Sequence, residues 1–466
     1  MNKLNLNTIL FVTLLFTAFI LKGQESITPP NFIFYLADDQ DQLDYGAYGN
    51  PKVHTPSVDQ LVKEGMKFTN FYTSQSICAP SRSQLFTGMY PVKNGCMANH
   101  LPVKKDLKTV IDYLEAKGYE VVLAGKSHVK PNSVFKWTHY FDSINHRYLP
   151  LEAIDSYLAK VKKPFCLFVT SDFPHGPYPK DGDYTKNDIY TLPYNGRYIP
   201  NYKPGYYQNI KDDNAQLEAV LGMVDSYGLR ENSIFIYASD HGISGKWGVS
   251  EQGLKIPFVV RWPGVVKPGS TSQTMLSLVD VLPTFLDIAG SEIDTTIDGK
   301  SFYKTLQGDE SNVNDYIFSL ATKQNIQACK VFPTRAVRGK RYKFIRNYNA
   351  LEVHESNFGE NSVINSFIKI GAESFPMVPY EELYDLENDP YQKINLIKNS
   401  KFDAVKSQLS EVLYTWMVSQ DDFLISNQMP LIKPTLHPLD RNSKWNKVSE
   451  ENLKGLKSND YMKSHY

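Results

Sequence analysis

Short apolar runs recur along this chain, bounded by polar turn residues, and stretches with helical periodicity lie between them. Asn31–Leu36, Glu120–Ala124, Phe165–Thr170 and Ser233–Ala238 are too short for stable helices and rich in aromatic and β-branched residues. They predict strands. Thr55-Pro56-Ser57 opens a helix with Val58, Leu61 and Val62 on one face and Gly65 as its stop. Asp106–Lys117 repeats the pattern through Val110, Ile111 and Leu114, and a further helix is predicted near Asn214–Tyr227. Such alternation predicts an α/β fold, a large mixed and mostly parallel sheet flanked by helices. Past about Lys330 the pattern changes. Thr334–Tyr348 reads as a hairpin turning at Gly339-Lys340, and Glu382–Leu386 as a strand ending in the turn Asn388-Asp389-Pro390. Phe402–Met417 reads as a helix, and the polar tail from Asn427 as peripheral.

Each strand of the first group leads into chemically capable residues. Asp38-Asp39 follows the first, Lys126 and His128 the second, His175 the third and Asp240-His241 the fourth. Ligands of open α/β sheets bind outside the carboxyl ends of the strands, so these residues share one edge. Any one of them alone reads as a turn or capping residue. Together they predict a site. Asp38, Asp39 and Asp240 supply enough hard oxygen to seat Ca²⁺ or Mg²⁺.

The ends and the composition narrow the setting. Met1–Leu21 carries Lys3 and the apolar run Ile9–Leu21, then Lys22-Gly23-Gln24, which predicts a cleaved export signal over residues 1–23. The mature chain then divides into a catalytic domain, 24–330, and a C-terminal subdomain with tail, 331–466. A periplasmic or secreted protein is expected, with no stable membrane insertion after cleavage. Lys plus Arg balance Asp plus Glu at 50 each among 466 residues, so no overall field draws nucleic acid. An anionic substrate must be held by local charges. Four cysteines in an exported chain would ordinarily suggest disulfides among Cys78, Cys96, Cys166 and Cys329. Cys166, inside an apolar run, reads instead as a buried thiol.

Cys78 stands apart because of its surroundings, Cys78-Ala79-Pro80-Ser81-Arg82 continued by Leu85, Thr87 and Gly88. Arg82 is a permanent cation able to hold an oxyanion, and Ser81 onward reads as a helix start, whose free N–H groups favour anions. The run resembles, at every specified position, the C-x-P-S-R-x-x-L-x-T-G signature of the type I sulfatases, in the alkaline-phosphatase superfamily. That resemblance implies conversion of Cys78 to formylglycine by a maturation enzyme, its hydrate being the nucleophile. It implies Ca²⁺ held by Asp38, Asp39, Asp240 and residue 78, with His241 where many members have Asn, as in the iduronate-sulfatase and heparan-sulfamidase branches. Histidine is a poor Ca²⁺ ligand, so His241 either binds metal or orients sulfate. Lys126-Ser127-His128 resembles the family's G-K-x-H element, Lys126 holding a sulfate oxygen and His128 serving the hydrate and its later collapse. His175 and Lys246 resemble the pair that assists the leaving alcohol, with Lys255 the weaker candidate for that lysine. The C-terminal segments resemble the family's small α+β subdomain with a short antiparallel sheet.

A sulfated carbohydrate is the expected substrate, algal (ulvan, carrageenan, fucoidan) or a glycosaminoglycan. Tyr178–Tyr207, with Tyr178, Tyr184, Tyr190, Tyr194, Tyr198, Tyr202, Tyr206 and Tyr207 beside Arg197 and Lys203, reads either as a wall for an anionic sugar chain or as a loop packed on the body. Two rivals remain at this point: a phosphonate or phosphate ester hydrolase of the same superfamily, and a glycan-binding pseudoenzyme.

Overall fold

The computed structural model describes residues 29–191, 200–325, 330–348 and 379–426. The export segment 1–23, Tyr194, Arg197, Tyr198, Cys329 and the tail from Asn427 lie outside the described residues. The large sheet contains β1 (Asn31–Asp38), β2 (Met66–Tyr72), β3 (Glu120–Gly125), β4 (His139–Phe141), β5 (Phe165–Pro174), β6 (Ser233–Ser239), β7 (Lys255–Arg261), β8 (Ser270–Ser272) and β9 (Leu276–Ser277). Its order is β4-β3-β5-β1-β6-β7-β2-β8, with β9 paired to β2. The strand β1 is central and parallel to both neighbours, Phe32 facing Cys166 on one side and Ile234 on the other. The mixed character comes from β7, antiparallel to β6 and β2.

Alternation along β1 builds both faces. Phe32, Phe34 and Leu36 join a core with residues of α2 (Cys78–Thr87), α3 (Val110–Glu115) and α6 (Val281–Ile288). Ile33, Tyr35 and Ala37 join a second core with α1 (Pro56–Glu64), α4 (Leu151–Leu158) and α5 (Lys203–Ser226). A strand buried on both faces favours apolar residues on each, which is why Phe32–Ala37 of β1 shows no period-two pattern.

Three helix limits differ from the sequence reading. The signature helix α2 starts at Cys78, three residues before Ser81, because Pro80 fits the first turn, where no intrahelical N–H bond is due. The helix α3 is shorter than Asp106–Lys117 because Thr109 caps it, its side chain accepting from Ile111 N–H while Asp112 accepts from Thr109 N–H. The helix α5 reaches back to Lys203 and takes the end of the tyrosine-rich segment with it.

A second, antiparallel sheet has the order β10 (Ile317–Asn325), β11 (Lys330–Arg338), β12 (Tyr342–Asn347), β13 (Glu381–Asp385), as the predicted hairpin and strand require. Leu409, Leu413 and Trp416 of α7 (Asp403–Ser419) pack on Leu320, Val337 and Phe344 of this sheet. No helix among the described residues is long and apolar enough to cross a membrane.

Candidate active site

The carboxyl ends of β1, β3, β5 and β6 converge on the first turn of α2. Gly125 allows one of these approaches: its φ is +107°, and a Cβ there would lie 2.1 Å from the Thr170 carbonyl oxygen. The chain can then turn sharply, and Lys126 N–H donates to that same oxygen at 2.8 Å. Asp39 leaves β1 with φ +67°, which aims Asp38 and Asp39 at different partners.

Around Cys78 stand His241 Nε2 at 3.4 Å, Lys246 Nζ at 3.9 Å and Asp39 Oδ1 at 4.0 Å from Sγ. Lys246 donates to both Asp39 oxygens, at 2.9 and 2.7 Å, and His241 Nε2 lies 3.1 Å from Asp39 Oδ1. Lys126 bonds Asp38 and, at 2.8 Å, Asp172. Arg82 sends Nε to Asp240 Oδ2 at 3.1 Å and Nη1 to the Lys126 carbonyl at 2.8 Å. His175 Nε2 lies 3.7 Å from Asp39 Oδ2, and its side chain, 37 % exposed, stands at the mouth. The structure therefore brings Asp38, Asp39, Cys78, Arg82, Lys126, His175, Asp240, His241 and Lys246 into one cluster. Lys255 lies instead beside Glu251 and Arg338.

Charge sets the protonation states. Burial raises the Cys78 thiol well above its ordinary range, and Asp38 pushes the same way. The thiol stays protonated and is a poor nucleophile as it stands. Burial opposes ionisation of Asp38, but Lys126 and Arg82 outweigh it and hold this carboxyl well below its usual value. Burial disfavours charge on Lys126 and Lys246 too, yet the surrounding acids keep both strongly protonated.

A model of the sulfatase family matches residues 30–291, and one of the C-terminal region of N-sulphoglucosamine sulphohydrolase matches 239–358. An ulvan-active sulfatase of Formosa agariphila is 48 % identical over 449 residues, covering 93 % of this chain and 90 % of that one. This chain belongs to the sulfatase family. Human arylsulfatase A is 25 % identical, over 79 % of this chain and 83 % of its own. Among solved structures, a 2-O GAG sulfatase superposes with TM-score 0.69 at 21 % identity, covering 91 % of this chain and 100 % of that one. A phosphonate monoester hydrolase of Agrobacterium radiobacter superposes with TM-score 0.67 at 18 % identity, covering 84 % and 96 %. Those two likenesses concern the fold alone. The family assignment makes this sulfatase a sulfuric ester hydrolase.

The donor set of this sulfatase fits a divalent cation. Asp38, Asp39, Cys78 and His241 offer ligand atoms all within 4.8 Å of one another. Asp38 Oδ1 is buried with no hydrogen-bond partner among the described residues, which leaves it able to serve as a ligand atom. Asp240 stands beside this group rather than in it, since its oxygens serve Arg82 and the Asp39 N–H.

Two residues of this sulfatase escaped the sequence reading. The first is His100, whose Nδ1 lies 3.1 Å from His128 Nε2. Asn99 Oδ1 accepts from Ala79 N–H at 3.3 Å, so its amide nitrogen faces His100 Nε2 at 3.2 Å. The proton in this contact sits on one ring or the other according to tautomer, and His128 keeps Nδ1 as its second ring nitrogen. That Nδ1 is buried without a partner among the described residues. Burial first, then Lys126, keeps His128 uncharged. The second is Trp247. Of the eight described non-glycine residues with positive φ, four are Asp39, His100, His128 and Trp247, all at this site. Backbone strain is the signal they share, and no sequence pattern encodes it.

The tyrosine-rich segment divides. Tyr206 and Tyr207 are fully buried in a small core with Val53, Ile189 and Ile210, and Lys203 is buried on Asp44 at 2.6 Å. Those three hold the segment to the body and cannot meet a substrate. Tyr178 and Tyr184 stay partly exposed. Cys78, Cys96 and Cys166 are all free thiols.

Proposed function

We propose that this protein removes sulfate esters from an ulvan-type polysaccharide or its oligosaccharides, outside the cytoplasm, with residue 78 converted to formylglycine by a maturation enzyme. The observation that carries the chemistry is the setting of Cys78: a thiol held protonated by burial and acids, yet ringed by Lys246, His241 and Asp39. A cysteine nucleophile needs the opposite environment. In formylglycine an aldehyde oxygen replaces Sγ, and its hydrate supplies one hydroxyl to attack sulfur and a second whose deprotonation releases sulfate. Support for the substrate class comes from the 48 % identity with the ulvan-active sulfatase.

Asp38, Asp39, His241 and residue 78 would hold the divalent cation, with Asp240 beside them on Arg82; the carboxylates favour Ca²⁺, which would polarise the oxygens around sulfur. The chain's own residues do the rest. Lys126 and Lys246, permanently charged, offer N–H donors to the sulfate oxygens. Arg82 fixes Asp240 and the Lys126 backbone, so the cationic wall is rigid. His175, at the open side, is placed to give a proton to the departing alcohol oxygen. His128, kept uncharged by burial, has its Nδ1 without a partner among the described residues and so available for proton exchange with an oxygen of the substrate.

Mass spectrometry of the peptide containing residue 78, from cells with a maturation enzyme, should show an aldehyde or its hydrate. The same preparation should release sulfate from ulvan oligosaccharides faster than from carrageenan, fucoidan or glycosaminoglycans. An unmodified cysteine in fully active protein, or faster cleavage of aryl phosphate diesters than of any sulfate, overturns the proposal.

A further inference from the structure

No sequence motif contains Arg147, yet the chain strains to present it. The residue lies between β4 and α4, in a turn where Asn145 and His146 both hold φ +53°. Ile144 and Tyr148 close that turn, each N–H donating to the other's carbonyl, at 2.8 and 3.0 Å. Two successive left-handed residues, one of them a histidine, are costly. The turn sets the Arg147 guanidinium, 13 % exposed, 3.7 Å from the centre of the Phe173 ring, against the end of β5 and the loop beyond it. Nη1 donates to His175 O at 2.6 Å and Asp172 Oδ2 at 3.1 Å, with Asp172 O and Gly176 O each at 3.3 Å. Nη2 reaches Pro177 O at 3.4 Å.

These contacts are not equally replaceable. Asn209 Nδ2, from α5, also donates to Pro174 O at 3.2 Å, His175 O at 3.1 Å and Pro177 O at 3.2 Å, so the loop keeps a second brace. Asp172 Oδ2 has Arg147 alone among the described residues. The other oxygen, Oδ1, accepts from Lys126 Nζ at 2.8 Å, and the same ammonium reaches Asp38. One Asp172 oxygen also lies within 4.8 Å of ligand atoms on Asp38 and His175. Asp172 is thus an acid at the rim of a site for an anionic ester. Left bare, it repels that ester and competes with it for the N–H groups of Lys126. Paired with Arg147, it does neither.

We infer that Arg147 is a positioning residue: by pairing with Asp172 Oδ2 it cancels the charge of that acid and leaves Lys126 free to aim an N–H at a sulfate oxygen. An ammonium has three donors; Asp38 and Asp172 take two, and the third is offered to the substrate. This role rests on the sulfate-ester reading above, in which Lys126 holds the substrate.

Steady-state sulfate release from 4-nitrophenyl sulfate and from an ulvan tetrasaccharide fraction, with melting temperatures alongside, tests the role. Arg147→Met should lose about thirtyfold in kcat/KM, mostly as a raised KM. The factor should be the same on both substrates, since Asn209 keeps the His175 loop in place. Adding Asp172→Asn removes the charge that Arg147 balanced, while the amide oxygen still accepts from Lys126. Activity of that double variant should return to within about threefold of wild type. Arg147→Lys, a cation without the planar fork, should fall between. A double variant no better than folded Arg147→Met overturns the role, because a structural brace gains nothing when its partner loses charge. A loss confined to the tetrasaccharide overturns it too, by placing Arg147 behind His175 instead. Should Arg147→Met fail to fold, Arg147→Gln with and without Asp172→Asn makes the same comparison. A wild type inert on every sulfate ester overturns this role and the sulfate-ester reading together.

Discussion

Two sets of buried charge in this molecule look alike in composition and differ in how they close. In the second sheet, Arg335 grips Asp422 through Nε at 2.5 Å and Nη2 at 3.1 Å, with both side chains wholly buried. Leu424 N–H also donates to Asp422, and Arg335 Nη1 donates to Thr334 O. Nearby, Glu251 accepts from Lys343 at 2.8 Å and from Arg338 at 3.2 Å. These groups satisfy one another. At the active site, Arg82 Nη2 and Asp38 Oδ1 lie 3.7 Å apart, both buried, and neither makes a hydrogen bond among the described residues. An open valence of this kind costs about 1–3 kcal/mol. A structural ion pair has no reason to bear that cost; a site that binds an anionic ester does.

Neutralising the open set gives the largest expected effect. Asp38→Asn should cut sulfate release by about 10²–10³-fold, and chelation of the wild type should do the same. The melting temperature of Asp38→Asn should stay within a few degrees, because the carboxylate it replaces is already incompletely paired. A variant that melts far below the wild type would place Asp38 with the structural set and erase the distinction.

The closed set should respond the other way. Arg335→Met leaves Asp422 buried and unpaired, and should cost about 3–5 kcal/mol of stability. Arg335→Met with Asp422→Leu should recover much of that loss. Specific activity per folded molecule should hold in both, read by denaturant midpoints beside sulfate release. Activity falling with Arg335→Met in fully folded protein would break the comparison.

These contrasts explain what the sequence could show. Strand ends were legible because β1, β3, β5 and β6 are short, apolar and followed at once by Asp38, Lys126, His175 and Asp240. Cys78 and Arg82 were legible because their motif is contiguous. The antiparallel β7 was hidden, since direction leaves no trace in composition. The inward packing of Tyr206 and Tyr207 was one of two readings the sequence left open, because α5 begins at Lys203 through tertiary burial rather than through a periodic pattern. His100 and Trp247 announce themselves only by φ and by neighbours distant in sequence. Sequence pattern thus reveals elements and contiguous motifs, whereas unsatisfied valence and strain require coordinates.

Within the open set, position separates duties. His175 is half-exposed at the mouth, whereas His128 is buried against His100. Loss of the leaving-group acid matters in proportion to the basicity of the leaving oxygen. His175→Ala should therefore lose about a hundredfold more on sugar sulfates than on 4-nitrophenyl sulfate. Equal losses would move that duty to Lys246.

The smallest expected effect comes from a buried acid that belongs to neither set. Asp213, on α5, meets no cation at contact distance among the described residues; Tyr35 donates to it at 2.8 Å, and Tyr237 lies at 3.4 Å. Burial raises its pKa to about 7, with hydrogen bonds from Ser171, Tyr35 and Tyr237 only partly opposing the rise. Its folded pKa exceeds the unfolded one, so the folded state binds the extra proton, and the protonated acid is the stable form. Stability must then fall as pH climbs from the unfolded value toward 7, by about 1–2 kcal/mol between pH 5 and pH 7. Glu251, lowered to about 2 because Lys343 and Arg338 outweigh its burial, has the opposite sign, and its contribution is lost only as pH falls below the unfolded value. Asp213→Asn carries no titratable proton, so its stability relative to wild type should improve steadily from pH 5 to pH 7. Thermal melts of both proteins across that window measure the slope directly. Parallel curves would show that Asp213 is ionised throughout and is held by its tyrosines as firmly as Asp422 is held by Arg335.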